Sequence, residues 1–233
     1  APETGLYRIG LFATGPVRVL LDGQTVVDLW SGWTKGRTFF EEGCDEVVGT
    51  AELQAGRTYQ IQIDYAARTG DNMQFSAFRM GIGKPLGDAE IAEAVRIAAE
   101  AETALVFVGR SGEWDTEGSD LTDIRLPGRQ DDLVAAVLQA NPRTVVVLQT
   151  GGPVEMPWLA KAPAVLQAWY PGQEAGNAIA DVVFGDAEPG GRLPQTFPQR
   201  WADNPTHSQD PEIYPGLNGK VRYEEGLHIG YRH

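Results

Sequence analysis

The sequence predicts an α/β protein in which a mostly parallel sheet with flanking helices, an α/β sandwich, is preceded by a partial antiparallel β-sandwich. Apolar runs of strand length that do not alternate with polar residues occur at residues 103–108, 144–148 and 164–169, and helical stretches separate them. Strands without a polar face that alternate with helices are typical of a parallel sheet. A series of short, regularly spaced runs before residue 84 predicts the β-sandwich.

The amino-terminal region is predicted to contain only β-strands. Alternating or apolar runs predict strands at residues 6–12, 17–21, 26–29, 46–53, 58–65 and 74–80. Leu21-Asp22-Gly23-Gln24 has the composition of a tight hairpin turn. Because residue 5 already enters a strand, we expect this sandwich to be incomplete at its amino end.

Helices and strands alternate after this region. Apolar residues at helical spacing predict helices over 88–102, 130–139 and 173–184. From residue 186 onward the chain is rich in Pro and Gly, and a short strand is predicted only at 192–196. The composition therefore predicts a β domain over 1–83, an α/β domain over 84–200 and a coil-rich segment over 201–233.

The composition excludes several classes of function. A formal net charge of −13 over 233 residues argues against nucleic acid or an anionic membrane as a partner, since both require clustered Lys and Arg. No dinucleotide-binding or phosphate-binding glycine motif follows a strand. The three His residues lie far apart in the tail, and the single Cys44 cannot form an internal disulfide. The sequence therefore predicts no cofactor and no metal site.

The first strand of the α/β region leads into a loop that is crowded with carboxylates. Ligands bind at the carboxyl ends of strands in open α/β sheets, so this loop is a candidate functional site. Glu113 and Glu117 are candidates for general acid/base catalysis, because the neighbouring Trp114 could favour the neutral form of a carboxyl group. The alternative is a solvated acidic loop that binds nothing. The loop's acidic residues are Glu113, Asp115, Glu117, Asp120 and Asp123.

A glycine-rich loop in the β region contains aromatic residues that could bind sugars. Aromatic rings often hold the apolar faces of sugars, while polar groups bind the hydroxyls. Alternatively, Trp30 and one Phe fill the sandwich core, and the sequence leaves both interpretations open. The rings belong to Trp30, Trp33, Phe39 and Phe40.

Several motifs between residues 88 and 200 resemble the α/β-sandwich domain of glycoside hydrolase family 3. The motifs are Gly112-Glu113-Trp114-Asp115-Thr116-Glu117-Gly118, Leu126-Pro127-Gly128-Arg129-Gln130, Asn141-Pro142-Arg143-Thr144, Gln167-Ala168-Trp169-Tyr170-Pro171-Gly172 and Asp186-Ala187-Glu188-Pro189-Gly190-Gly191-Arg192. Residues 1–83 are similar to the protective-antigen-type β-sandwich that some β-glucosidases of this family carry inside the α/β domain. The resemblance implies a carboxyl-side portion of a larger enzyme.

The resemblance implies that this chain takes part in retaining, exo-acting hydrolysis of terminal β-linked glucose or similar sugars. The implied partners are a β-linked oligosaccharide or β-glucoside and a (β/α)8 barrel domain, in the same or another chain, that carries the nucleophilic Asp. Glu113 matches the family's acid/base segment, with Glu117 as the reserve candidate, and the chain alone is expected to be inactive. Trp114, Phe39 and Phe40 are the implied substrate-binding residues, with Phe39 and Phe40 expected near the leaving group.

A second hypothesis remains from the residues themselves. The chain could be a non-catalytic carbohydrate-binding or docking module, in which the β domain holds sugar and the α/β domain only docks it. Hydrolysis requires a barrel with a nucleophilic Asp, whereas a binding module requires only affinity of the isolated chain for a glycan.

Overall fold

The computed structural model describes residues 1–69, 76–117 and 120–233. The chain divides into two compact units, each with its own core. The first consists of Ala1–Ala89 together with Gly112–Asp120, and the second of Glu90–Ser111 together with Leu121–His233. The acidic loop is therefore grouped with the β unit, although its stems belong to the α/β unit.

The first unit contains antiparallel sheets, each three-stranded in the described residues, with strand orders β4-β1-β6 and β3-β2-β5. Alternation along β1 directs Ile9, Leu11 and Ala13 into a core shared with Val17 and Val19 of β2. The strands are β1 (Gly5–Ala13), β2 (Val17–Leu21), β3 (Gln24–Asp28), β4 (Val47–Leu53), β5 (Ile61–Tyr65) and β6 (Phe78–Gly83).

The turn between β2 and β3 confirms the predicted hairpin. Leu21 pairs with Gln24 across a two-residue loop. Asp22 and Gly23 both have left-handed backbone angles, with φ of 48° and 80°. Positive φ at both central residues is the geometry of a type I′ turn, which matches the natural twist of paired strands.

The second unit contains a parallel sheet with strand order β7-β8-β9 in the described residues. Valines of α2, including the fully buried Val134, pack against Val106, Val146 and Leu148 of the sheet. The strands are β7 (Ala104–Gly109), β8 (Thr144–Gln149) and β9 (Ala164–Gln167), and the helices are α1 (Asp88–Glu100), α2 (Gln130–Ala140) and α3 (Ala175–Phe184). The predicted fold class is confirmed.

Some predicted boundaries were wrong. The last strand of the β unit runs over Phe78–Gly83, later than the predicted 74–80, of which residues 74 and 75 lie outside the described part. Residues 192–196 do not form a strand. Instead, the Thr196 amide donates to the Gly230 carbonyl oxygen (3.1 Å) and the Thr196 hydroxyl donates to the His233 carbonyl oxygen (2.9 Å). The Thr196 amide is therefore bonded to the carboxyl-terminal coil and not to a neighbouring β-strand.

Candidate active-site loop

The acidic loop leaves the sheet at the end of β7 and returns to the start of α2. Its first stem is clamped, because the Arg110 amide donates to the Gln149 carbonyl oxygen (3.0 Å) and the Tyr170 hydroxyl donates to the Arg110 carbonyl oxygen (2.9 Å). On the second stem, Ile124 and Leu126 are both buried. The stems therefore belong to the rigid framework of the α/β unit.

A sequence motif explains the second stem. Leu126 enters the hydrophobic core, and Gly128 adopts a left-handed backbone with φ of 64°, which turns the chain into α2. Gln130, the first residue of α2, directs its side-chain amide back to Pro127 and to Gly109 of β7. In this motif Leu126 packs in the core, Gly128 makes the turn, and Gln130 connects the two stems by hydrogen bonds.

Asp131, the second residue of α2, accepts a hydrogen bond from a buried tryptophan. The Trp158 indole N–H, in a side chain only 3% exposed, donates to Asp131 Oδ1 at 2.8 Å. Burial raises the pKa of the Asp131 carboxyl group, and the hydrogen bond from Trp158 opposes this effect. This contact ties the start of α2 to the segment after β8.

Glu113 forms an ion pair within the first unit. Arg79 Nη1, on β6, donates to Glu113 Oε1 at 2.8 Å, and the Glu113 side chain is 24% exposed while that of Arg79 is 68% exposed. A guanidinium group at this distance stabilises the ionised carboxylate. Trp114, predicted to provide an apolar neighbour, is itself 45% exposed.

Glu117 has a different environment. Its side chain is exposed, and its carboxylate forms no ion pair or hydrogen bond with the residues that the structure describes. Its backbone carbonyl oxygen accepts a hydrogen bond from the Thr116 hydroxyl at 3.4 Å. Gly118 and Ser119 of the predicted motif lie outside the described residues.

The aromatic loop between β3 and β4 is a tightly closed turn. The Thr38 hydroxyl donates to the Cys44 carbonyl oxygen (2.6 Å), and the Gly43 amide donates to the Thr38 carbonyl oxygen (2.9 Å). Three successive residues, Phe39, Phe40 and Glu41, have left-handed φ values of 50°, 57° and 64°. Non-glycine residues adopt such angles at a cost that the surrounding structure must offset.

This turn gives its two phenylalanines different surroundings. The Phe39 ring packs against Phe12 with centroids 5.3 Å apart, whereas the Phe40 side chain is 52% exposed. Trp33 is held by its indole N–H, which donates to the Ala13 carbonyl oxygen (2.9 Å), and Arg68 lies over its ring. Arg18 lies over the ring of Trp30. Trp30 is 42% exposed and so does not fill the core of the sandwich, and Phe40 is the most exposed of these rings.

Arg79 contacts the acidic loop and Gln130 contacts its stems, and neither was predicted to be functional from the sequence. Arg79 lies far from Glu113 in sequence, and no local pattern identifies it as the partner. Gln130 lies within the motif at residues 126–130 that resembles the family, and its position as the first residue of a predicted helix was the available signal. Among the described residues, no group of three or more His, Cys, Asp and Glu side chains could hold a metal ion, and no helix is long and apolar enough to cross a membrane.

Comparisons with known proteins identify the family of this chain. It matches the model of the glycosyl hydrolase family 3 C-terminal domain over residues 10–231. A beta-glucosidase of Rhizobium radiobacter is 55% identical over 233 residues, which are 99% of this chain and 28% of that protein. The chain thus spans about a quarter of the length of such relatives.

Solved structures agree with this comparison. A beta-glucosidase from Kluyveromyces marxianus, determined in complex with glucose, matches 100% of this chain and 27% of its own, with a TM-score of 0.86 and 37% identity. A beta-glucosidase from Streptomyces venezuelae, determined in complex with D-glucose, covers 100% of this chain and 28% of its own, with a TM-score of 0.61 and 39% identity. The chain therefore belongs to glycosyl hydrolase family 3 and matches the C-terminal domain of that family along nearly its whole length.

Proposed function

We propose that this chain is part of a retaining, exo-acting β-glycosidase, and that its acidic loop supplies the general acid/base. The observation that carries the proposal is a carboxylate-rich loop held by hydrogen bonds at the end of β7, in a chain whose relatives are named beta-glucosidases. The nucleophilic Asp is proposed to lie on a barrel domain outside this chain. Terminal β-linked glucose, or a similar sugar, is the proposed substrate.

The chemistry requires two carboxyl groups about 5–5.5 Å apart. One attacks the anomeric carbon and forms a covalent glycosyl-enzyme. The other protonates the departing glycosidic oxygen and then removes a proton from the water that releases the sugar. The second group must be protonated when the substrate binds and ionised when the water attacks, so a strong fixed partner for its charged form is a disadvantage.

This requirement separates the two candidates in the loop. Glu113 best matches the sequence resemblance, but its ion pair with Arg79 stabilises the charged form. The exposed Glu117 carboxylate has no such partner among the described residues. We therefore favour Glu117 as the acid/base and propose that Glu113 orients the loop through Arg79.

Aromatic residues are proposed to contact the sugar or its leaving group. The exposed Phe40 and the partly exposed Trp114 offer ring surfaces to apolar sugar faces. Phe39, packed on Phe12, is proposed to support Phe40 rather than to present a free face. Residues 1–83, 84–200 and 201–233 remain our proposed domain limits.

Leaving-group dependence tests the proposal in the full-length enzyme. An acid/base variant loses activity on substrates with poor leaving groups and keeps kcat/KM for a dinitrophenyl β-glucoside, which needs no proton. We expect Glu117→Gln to lower kcat/KM for an alkyl β-glucoside by about 10²–10⁴-fold, and Glu113→Gln to lower it far less. If each variant changes kcat/KM by the same factor on the alkyl and the dinitrophenyl substrate, the proposal is overturned. If the full-length protein binds the glycan but does not hydrolyse it, a binding module is favoured instead.

A further inference from the structure

One side chain joins both stems of the acidic loop. Gln130 Oε1 accepts from the Gly109 amide at 2.7 Å, and Gln130 Nε2 donates to the Gly109 carbonyl oxygen at 2.9 Å. The same Nε2 donates to the Pro127 carbonyl oxygen at 3.0 Å. The end of β7 and the residue that precedes the turn into α2 are therefore bridged by a single amide group.

The geometry around Gly109 suits this bridge. The side-chain amide of Gln130 pairs with both backbone groups of Gly109, as a neighbouring strand would. On its other side, Gly109 lies so close to β8 that a Cβ atom there would be 2.2 Å from the Gln149 carbonyl oxygen. Gly109 is thus held between Gln149 and Gln130, and the backbone direction at the loop's origin is set by both contacts.

Two further hydrogen bonds each hold one stem. The Tyr170 hydroxyl bonds the Arg110 carbonyl oxygen on the first stem, and the Glu155 amide donates to the Ile124 carbonyl oxygen (2.9 Å) on the second. Gln130 differs because its one rigid amide couples the two stems directly. Holding the ends of a loop at a defined separation reduces the number of conformations that the intervening residues can adopt.

We propose that Gln130 is a positioning residue for catalysis, which fixes the stems of the loop so that the carboxyl group acting as acid/base is presented in one geometry. This inference rests on the proposed function of the loop. Proton transfer to a glycosidic oxygen depends steeply on placement, and a displacement of about 1 Å can cost about 10²-fold in rate. In this role Gln130 acts through the loop, by its hydrogen bonds to Gly109 and Pro127.

The test uses the full-length enzyme with two substitutions and a matched control. Gln130→Met keeps most of the side-chain volume and removes all three hydrogen bonds, and Gln130→Ala removes the side chain as well. The control is Asn141→Ala. Asn141 is a 5% exposed amide that donates to the Ala98 and Ala101 carbonyl oxygens (2.8 and 2.9 Å), so its loss also disrupts a bridge in the α/β unit.

We expect Gln130→Met to lower kcat/KM for an alkyl β-glucoside by about 10–10²-fold and to leave kcat/KM for a dinitrophenyl β-glucoside within about threefold of wild type. Asn141→Ala should not discriminate between the two substrates. An equal effect of Gln130→Met on both substrates, or wild-type kinetics, would overturn the positioning role.

The Glu117 and Glu113 variants show whether a negative result concerns only the positioning role of Gln130 or the proposed acid/base function itself. If Glu117→Gln or Glu113→Gln shows the selective loss while Gln130→Met does not, the loop is catalytic and only the role of Gln130 is wrong. If neither Glu variant shows the selective loss, the proposed acid/base function itself is wrong. Should Gln130→Ala fail to fold, the Met variant still decides the outcome.

Discussion

Arg79 on β6 holds Glu113 of the acidic loop through a hydrogen bond of 2.8 Å between Nη1 and Oε1. The two residues are 34 positions apart, and their ion pair lies within the unit that contains the β-sheets. A carboxylate engaged in this way is well suited to orient the backbone of its loop. We propose the neighbouring Glu117 as the acid/base.

The Arg79–Glu113 ion pair is expected to restrain the loop locally. Partly exposed ion pairs contribute up to about 1 kcal/mol, so Arg79→Ala should speed amide hydrogen exchange of the segment 113–117 by up to about fivefold. Arg96→Ala, which removes the ion pairs to Glu93 and Glu100 on α1, is the control and should leave this segment unchanged. Unchanged exchange after Arg79→Ala would show that the ion pair does not restrain the loop.

Two substitutions of Phe40 distinguish the contribution of its ring to substrate binding from the strain of its left-handed backbone. Both Phe40→Ala and Phe40→Gly remove the exposed ring, and each should raise KM for an aryl β-glucoside by about fivefold, the value of roughly 1 kcal/mol of ring contact. Because φ at position 40 is 57°, Gly should also relieve about 1 kcal/mol of strain that Ala retains. Thermal unfolding of the two variants measures this difference.

The adjacent ring serves as the contrast. Phe39→Ala removes a ring that packs on Phe12, so it should lower stability by about 2 kcal/mol in addition to any kinetic effect. An unchanged KM in both Phe40 variants would remove Phe40 from the substrate site. Because Gly loses about 0.5–1 kcal/mol more backbone entropy on folding than Ala does, a Gly variant that is less stable than the Ala variant by that amount would mean that the left-handed backbone at Phe40 is not strained.

Asp131 is expected to make stability depend on pH. Burial raises its folded-state pKa, so the folded protein binds this proton more tightly than the unfolded chain does. Its contribution to the free energy of unfolding therefore falls as pH rises from the ordinary aspartate value of about 4 through the raised folded-state pKa. Asp131→Asn cannot ionise and keeps an acceptor for Trp158, so this pH dependence should disappear and stability at pH 7 should be at least that of wild type.

The matched variant Asp131→Ala has the opposite effect at pH 7. It leaves the buried Trp158 N–H without its acceptor, at a cost of about 1–3 kcal/mol. Urea unfolding of the three proteins at pH 4 and pH 7 checks both expectations. A wild-type protein whose stability relative to Asp131→Asn rises between these pH values would contradict the assigned direction.

Local patterns were sufficient to predict most of the framework. The uninterrupted apolar runs at β7 and β8 predicted parallel strands. Burial on both faces is confirmed only for β8, because Leu105 and Phe107 on one face of β7 are 39% and 51% exposed. Asp22-Gly23 predicted its hairpin because a type I′ turn requires positive φ at both residues. These features depend on neighbours within a few residues, which the sequence displays directly.

Features that depend on distant residues were not predictable in the same way. The sequence identifies Glu113 and Glu117 as a carboxylate pair, but only the fold brings Arg79 to Glu113. The prediction of a strand at residues 192–196 was wrong for a similar reason, because Thr196 forms hydrogen bonds with Gly230 and His233 in the distant tail. Phe39 and Phe40, adjacent in sequence, differ in exposure because the closed turn directs one ring onto Phe12.

The most direct measurement of the central claim is chemical rescue of the full-length Glu117→Gln enzyme by azide. A small anion can attack the glycosyl-enzyme without the help of a general base, so azide should restore turnover of a dinitrophenyl β-glucoside and yield a β-glucosyl azide. We expect this product from Glu117→Gln and its absence from Glu113→Gln. Formation of the β-glucosyl azide by Glu113→Gln alone would show that Glu113, and not Glu117, is the acid/base.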